Sequence, residues 1–326
     1  MKIQTPGDEP GVFDISTDYV IIYSMLKHDP VLLDSVLARL DLKPSQTYLD
    51  GTAGLGGHAA AILEQIGESG RAVLVDRDEA AQAALRERFG DDGRVELRRG
   101  SFVEAAEQLV GEGRTFDRIL LDLGVSSPQF DDGGRGFSFK AEAPLDMRMD
   151  QSQELTAEEV VNEWPESELV QILQDYGEEF KAKSVAKAIV DHRPFATTTQ
   201  LAGVVRRAAY YTKDIDPATK TFQAIRIAVN DELGQLADAL PLMVDLLVPG
   251  GRLAVISFHS LEDRIVKQFI DQEVKTCICP PKQPICTCGH TASLKKITKH
   301  PVTADATELA INPRARSAKL RVAEKK

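Results

Sequence analysis

The stretch Asp50-Gly51-Thr52-Ala53-Gly54-Leu55-Gly56-Gly57-His58 sets four glycines within seven positions, between the run Thr47-Tyr48-Leu49 and the helical-looking Ala59-Ala60-Ala61-Ile62-Leu63. Strand, glycine loop and helix in that order suit a nucleotide-like ligand. Glycine lets the backbone take positive φ and come close to a ligand, and the first helical turn offers unpaired N–H groups. Two cofactors stay open at this point. Gly54-x-Gly56-x-x-Ala59 fits the dinucleotide fingerprint, and Asp76 stands about 20 residues on, where a ribose-binding acid belongs, so an NAD-dependent oxidoreductase is one reading. Asp50 leans the other way. A carboxylate beside the loop repels a pyrophosphate and attracts the sulfonium and ammonium of S-adenosylmethionine, unless it only caps the loop's own amides.

Such a site needs strands to hold it. Arg71 to Asp76 reads as a buried strand ending in an acid, followed by a helix from Glu79 to Phe89; Val95 to Arg99 and Phe116 to Asp122 give a third and a fourth strand. The alternation predicts an α/β fold with a doubly wound, mostly parallel sheet and ligands at the carboxyl ends of the strands, where Asp50, Asp76 and Asp122 all fall. A helix with Leu33, Val36, Leu37 and Leu40 precedes the first strand.

From Ser126 to about Thr219 the alternation gives way to a loop and several helices, a helical insertion after strand four that suits a substrate-recognition lid. Thr156-x-x-Glu159 makes a capping box with Leu155 and Val160 as its staple, and helices are expected over Glu166 to Tyr176, Glu178 to Asp191 and Thr198 to Ala209. The Rossmann pattern resumes with a helix carrying Phe222, Ile225, Val229, Leu233 and Leu236. Pro249-Gly250-Gly251 reads as the turn before strand five, Arg252 to Ser257, and Ser260-x-x-Asp263 as the cap of the next helix. Strands six and seven are expected near Ile297 and Leu320.

Hydrophobic content of 43% and charged content of 27% are ordinary for a globular chain. No apolar run approaches 18 residues and the N-terminus lacks a basic region before an apolar core, so membrane spans and secretion are not expected and the cytoplasm is the default. The net charge of −11 argues against indiscriminate nucleic-acid binding, but from Gly289 to Lys326 nine Lys/Arg face three Asp/Glu, a net of +6 that leaves −17 on residues 1–288. A basic tail on an acidic body fits selective contact with a phosphate backbone, or is an ordinary solvated terminus.

With these pieces in place the chain resembles the RsmH/MraW family, bacterial S-adenosylmethionine-dependent methyltransferases of small-subunit ribosomal RNA that modify the N4 amine of a cytosine. The motifs that carry the resemblance are Asp50 to His58, Asp122 to Gln129, Arg135 to Phe139, Pro144 to Asp150, Thr221 to Arg226, Ser257 to Arg264 and Asn312 to Ser317. The resemblance implies a class I methyltransferase domain over 28–125 and 220–326, a helical insertion over 126–219, and 16S ribosomal RNA in the small ribosomal subunit as partner, methylated at a decoding-region site. Residues 1–27 exceed what the family usually carries. By position, the family's cofactor contacts fall on Gly56, Gly57, His58, Asp76, Phe102, Asp122 and Gln129.

Ser127-Pro128-Gln129-Phe130 looks like a variant of the Ser/Asn/Asp-Pro-Pro-aromatic motif of exocyclic-amine methyltransferases, with Gln129 in place of the second proline. The N4 lone pair of cytosine is delocalised into the ring, so attack needs acceptors that draw the N–H groups towards tetrahedral nitrogen. Ser127 and Pro128 are the candidates for that task, and Phe130 for stacking on a flipped base. Arg135, Arg148, Arg314, Arg316 and Lys319 are the candidates for RNA phosphate contacts.

Methylation of a ring carbon would need a cysteine nucleophile in a strand-end loop. The cysteines are Cys277, Cys279, Cys286 and Cys288, far along the chain. Their Cys-x-Cys-x6-Cys-x-Cys pattern suggests a metal clip such as zinc more than disulfides in a cytoplasmic protein. The spacing is tighter than the usual Cys-x2-Cys and the family's activity is not thought to depend on a metal, so no metal ligand is assigned from sequence.

Overall fold

The computed structural model describes residues 30–125, 129, 133–210, 216–280, 283 and 285–326; Ser127, Pro128 and Phe130 lie outside them. Helix α1 (Leu33–Leu40) leads into β1 (Thr47–Asp50), and α2 (Gly57–Ile66), β2 (Arg71–Asp76), α3 (Glu79–Phe89), β3 (Val95–Arg99), α4 (Phe102–Gly111) and β4 (Phe116–Asp122) follow in strict alternation. Local signals explain the starts. The Asp78 carboxylate accepts the Ala80 N–H to cap α3, and Ser101 with Glu104 forms a reciprocal capping box on α4.

The strands pair in the order β3-β2-β1-β4-β5-β7-β6, parallel except that β7 (Lys319–Lys325) runs antiparallel to both β5 (Leu247–Ser257) and β6 (Leu294–Lys296). Side chains alternate between two apolar layers, as a two-residue repeat requires. Leu49, Val73, Val75, Ile119 and Leu121 pack on one face, and Tyr48, Leu74 and Leu120 on the other. Pro249-Gly250-Gly251 is a bulge inside β5, not the turn that precedes it: Phe116 pairs with Leu247 and Arg118 with Arg252, with Gly250 at φ 79° between. Pairing on both sides of the bulge outweighs the local turn chemistry.

Between β4 and β5 the described chain is helical: α5 (Ala157–Glu163), α6 (Glu166–Asp175), α7 (Ala182–Asp191), α8 (Thr198–Ala208), α9 (Ala218–Asn230) and α10 (Glu232–Asp245). A third apolar cluster joins Phe137, Leu145, Val160, Leu173, Val185, Leu201, Phe222 and Ile225 and continues to Val229, so the helical packing extends past residue 219. Helix α7 begins at Ala182 and not at Glu178, because Glu178 takes φ 46° and turns its carboxylate onto Ser260 Oγ (2.7 Å) and Arg264 (2.8 Å). Ser260 therefore does not cap α11 (Ser260–Glu273); His259 occupies the cap position, and Glu262 accepts the N–H groups of Phe258 and His259. The chain ends through α12 (Ala306–Ile311) and a 3-10 turn (Pro313–Ser317) into β7. No helix among the described residues is long and apolar enough to cross a membrane.

Candidate active site

A cavity of about 400 Å³ opens at the carboxyl ends of β1, β2 and β4. Gly51 to Leu55, Gly57, His58, Asp76, Phe102, Asp122 and Gln129 line it. Asp76 ends β2 and accepts one backbone N–H on each oxygen, from Gly54 (2.8 Å) and Asp78 (2.9 Å). The carboxylate is thereby fixed in orientation, and each oxygen keeps a lone pair for a hydroxyl. Burial raises its pKa, while the two N–H groups pull it down. Phe102 opens α4 at the rim, and the buried Gln129 donates from Nε2 to Asp78 Oδ2 (2.6 Å).

Asp122 ends β4 with about a quarter of its side chain facing the cavity. Burial pushes its carboxyl well above the usual range, and the charges of Asp50 and Glu262 push in the same direction. His58 Nε2 lies 3.0 Å from the Val31 carbonyl, which can only accept, so that nitrogen carries a hydrogen; Nδ1 then faces Asp122 Oδ2 at 3.6 Å. At that separation the two groups face each other without a direct hydrogen bond.

Three of the expected contact residues have other partners within the fold. Gly56 is absent from the lining: at φ 74° it starts α2, and a Cβ there would meet Phe89 Cε2 at 2.4 Å, so packing against α3 by itself requires a glycine at this position. Arg135 is buried and paired with Asp78 (3.0 Å), with NH2 on the carbonyls of Arg148 and Met149. Arg148 spends its guanidinium on both oxygens of Asp146 and on the carbonyls of Gln151 and Gln153. Neither arginine presents its charge to a phosphate. Arg316 and Arg314 are both exposed, but Arg314 also lines the cavity; Lys319 lies 3.5 Å from Asp263.

Asp50 does not line the cavity. Its Oδ2 accepts from the Tyr48 hydroxyl (2.7 Å) and its Oδ1 from the Thr52 N–H (3.1 Å), so Asp50 caps the loop and is not held out to a sulfonium. Burial drives its pKa up to about 6, against the lowering effect of those two donors. A raised carboxyl favours the folded state at low pH and loses that contribution as pH climbs through the folded value. Asp50→Asn is therefore expected to match the native chain near pH 4 and to be more stable by up to about 3 kcal/mol at pH 8, at roughly 1.4 kcal/mol per pKa unit. Thermal melts across that range check it; a variant less stable at pH 8 would show that the Tyr48 and Thr52 bonds outweigh desolvation.

The cavity extends to a second group of residues not singled out from the sequence: Arg77, Met149, Arg226, Glu232, Phe258 and Glu262. Arg226 holds Glu232 through two bonds of 2.8 Å. Burial alone would raise Glu262, but the neighbouring His259 and the Arg226 charge hold it below the usual range. His259 Nε2 sits 3.1 Å from Glu262 Oε1, close enough for ion pairing though poorly aligned for a hydrogen bond. The available signal was an arginine among the apolar positions Phe222, Ile225 and Val229 of α9.

The sheet order with its reversed β7, and the cavity at the strand ends beside a glycine loop, define a class I S-adenosylmethionine-dependent methyltransferase. The family model of the MraW methylase family matches residues 25–326, and the chain belongs to that family. It is 52% identical to the ribosomal RNA small subunit methyltransferase H of Heliobacterium mobile over 310 residues, 91% of this chain and 98% of that one. The protein of the same name from Heliobacterium modesticaldum is 50% identical over 309 residues, with the same shares covered. A solved rRNA methylase from Streptococcus thermophilus aligns over 92% of this chain and 98% of its own, at 12% identity and a TM-score of 0.40.

Proposed function

We propose that this chain transfers a methyl group from S-adenosylmethionine to the exocyclic N4 amine of a cytidine in 16S ribosomal RNA, presented in the small ribosomal subunit in the cytoplasm. The observation that carries this reading is the convergence of Asp76, Phe102, Asp122 and Gln129 on one cavity in a chain of the MraW methylase family. The lining fits the cofactor: Asp76 is oriented for the ribose hydroxyls, Phe102 offers an apolar face to the adenine, and Gly57 lets the helix start lie close. When bound, S-adenosylmethionine supplies an electrophilic methyl carbon on its sulfonium. The residues of the chain do the rest: Ser127 and Pro128 accept from the N4 hydrogens, Phe130 stacks on the flipped base, and the Asp122–His58 pair takes up the departing proton.

Residues 28–125 with 220–326 hold the cofactor, and residues 126–219 serve the RNA together with Arg314 and Arg316 of the basic C-terminal stretch. Supporting this, the helical segment exposes Phe180 and Tyr210, with Lys220 over one ring at 4.9 Å and Lys181 over the other at 5.9 Å. Aromatic faces beside cations suit unpaired bases on a phosphate backbone.

Mass spectrometry of 16S ribosomal RNA from cells lacking the protein tests the whole reading. A methylcytosine should disappear and return with the native gene; an unchanged modification profile sinks it. Arg316→Glu should weaken RNA binding and lower its salt slope by about 1 while leaving cofactor affinity alone. Arg314 lines the cavity, so its reversal should disturb both. RNA titrations at several salt concentrations and calorimetry with the cofactor separate the two arginines; an unchanged slope for Arg316→Glu removes it from the interface.

A further inference from the structure

We propose that Cys277, Cys279, Cys286 and Cys288 form a tetrathiolate site for one zinc ion, which clips the excursion between α11 and β6. The four sulfurs close on one another without bonding: Cys277 to Cys286 is 3.5 Å, Cys286 to Cys288 3.6 Å, Cys288 to Cys277 3.8 Å and Cys279 to Cys286 4.0 Å. All four lie within 4.8 Å of one another. A disulfide requires about 2.05 Å, so none of these separations is a bond. A tetrahedral zinc with Zn–S of about 2.3 Å sets its sulfurs roughly 3.8 Å apart, which the four separations bracket. Cysteines around a four-iron cluster stand much farther apart, so the ion is a single one.

The surroundings of the sulfurs agree. The Thr287 N–H points at Cys279 Sγ (3.4 Å). An N–H donor stabilises a thiolate, the ligand form, and orients it towards an ion.

The fold gives the clip a task. From Val274 to Ser293 no described residue is buried, and Ile278 and Ile285 are exposed, so no apolar core orders this stretch. Its base is closed by Ser293 on Glu273, N–H to carbonyl at 3.0 Å and Oγ to carboxylate at 2.6 Å. An ion gripped at both short Cys-x-Cys arms supplies the constraint that packing does not. None of the four cysteines lines the methyltransferase cavity, which makes the site structural and its occupancy separable from cofactor binding.

Plasma mass spectrometry on the full chain, purified under reducing conditions without chelator, should find one zinc per chain. A thiol-blocking mercurial should release that zinc in step with modification of the thiols, a readout that needs no variant. Cys279→Ser with Cys288→Ser should lose the metal and become sensitive to protease between α11 and β6, while still binding S-adenosylmethionine. Cobalt in place of zinc should give the intense visible bands of a tetrahedral thiolate site. Substoichiometric metal after reconstitution with zinc, or full metal content in the double variant, overturns the proposal. Iron at one equivalent supports the tetrathiolate site and overturns zinc as its occupant.

Discussion

Asp122→Ala is expected to lower methyl transfer by about 10²–10⁴-fold, the range for loss of a positioned acid–base group, while the chain stays folded. The carboxylate ends β4 beside the cavity, and burial with the charges of Asp50 and Glu262 holds its pKa well above the ordinary value. A carboxylate so placed takes up a proton more readily than one in water. His58 completes the argument, because its Nε2 hydrogen is committed to the Val31 carbonyl and its Nδ1 turns to Asp122. Once N4 carries the new methyl group it sheds one hydrogen, and the pair is an acceptor within the site. Activity should therefore rise with pH as Asp122 deprotonates, since the acceptor works only when deprotonated, and this limb should vanish in Asp122→Ala. The cofactor-free variant should also melt higher at pH 8, because a carboxyl with raised pKa costs the folded state stability once ionised. Asp122→Asn separates the roles: it keeps an acceptor and loses the charge, so activity close to native would make Asp122 a hydrogen-bond acceptor only. Full activity and an unchanged pH profile in Asp122→Ala would remove the residue from the site.

The sequence made β1, β2 and β4 legible because each is an apolar run closed by an acid, and such a pattern leaves few alternatives. Asp76 and Asp122 followed, since a strand end fixes where its last side chain stands. What failed depended on side-chain partners that the motif itself does not display. Gly56 reads as a ligand glycine from the motif, but the atom that requires it is Phe89, 33 residues on. Asp50 reads as a charge offered to a cofactor, although Tyr48, two residues back on the same strand face, already claims it. Arg226, Glu232 and Glu262 meet only when α9, α10 and α11 pack, and helical periodicity of one segment says nothing about its neighbour's polar residues. The cysteines show the converse: their spacing names the ligands, and only coordinates show whether the sulfurs converge.

Arg135→Ala should destabilise the chain by about 3–5 kcal/mol, the cost of leaving a buried charge without its partner. Arg135 stands between Gly134 and Gly136, and from sequence it is a candidate for RNA phosphate contacts. The fold encloses it instead. Its guanidinium meets Asp78 Oδ2 at 3.0 Å and the carbonyls of Arg148 and Met149 at 3.0 and 3.1 Å. Asp78 also caps α3 through Oδ1, and its Oδ2 accepts from Gln129 at the cavity rim, while its N–H holds Asp76. Arg135 thus anchors the segment after β4 to the carboxylate that orders the ribose side of the cavity. Loss of the arginine leaves Asp78 uncompensated, frees two carbonyls and loosens Gln129, so cofactor affinity should fall with stability. A phosphate-contacting arginine predicts the opposite pattern, native stability with weaker, less salt-dependent RNA binding. Arg135→Lys keeps the charge but cannot reach Asp78 and both carbonyls from one planar fork, and it should recover only part of the loss. Denaturant melts, calorimetry with S-adenosylmethionine and RNA titrations on the alanine and lysine variants distinguish the patterns. Native stability with a reduced salt slope in both would return Arg135 to the RNA interface.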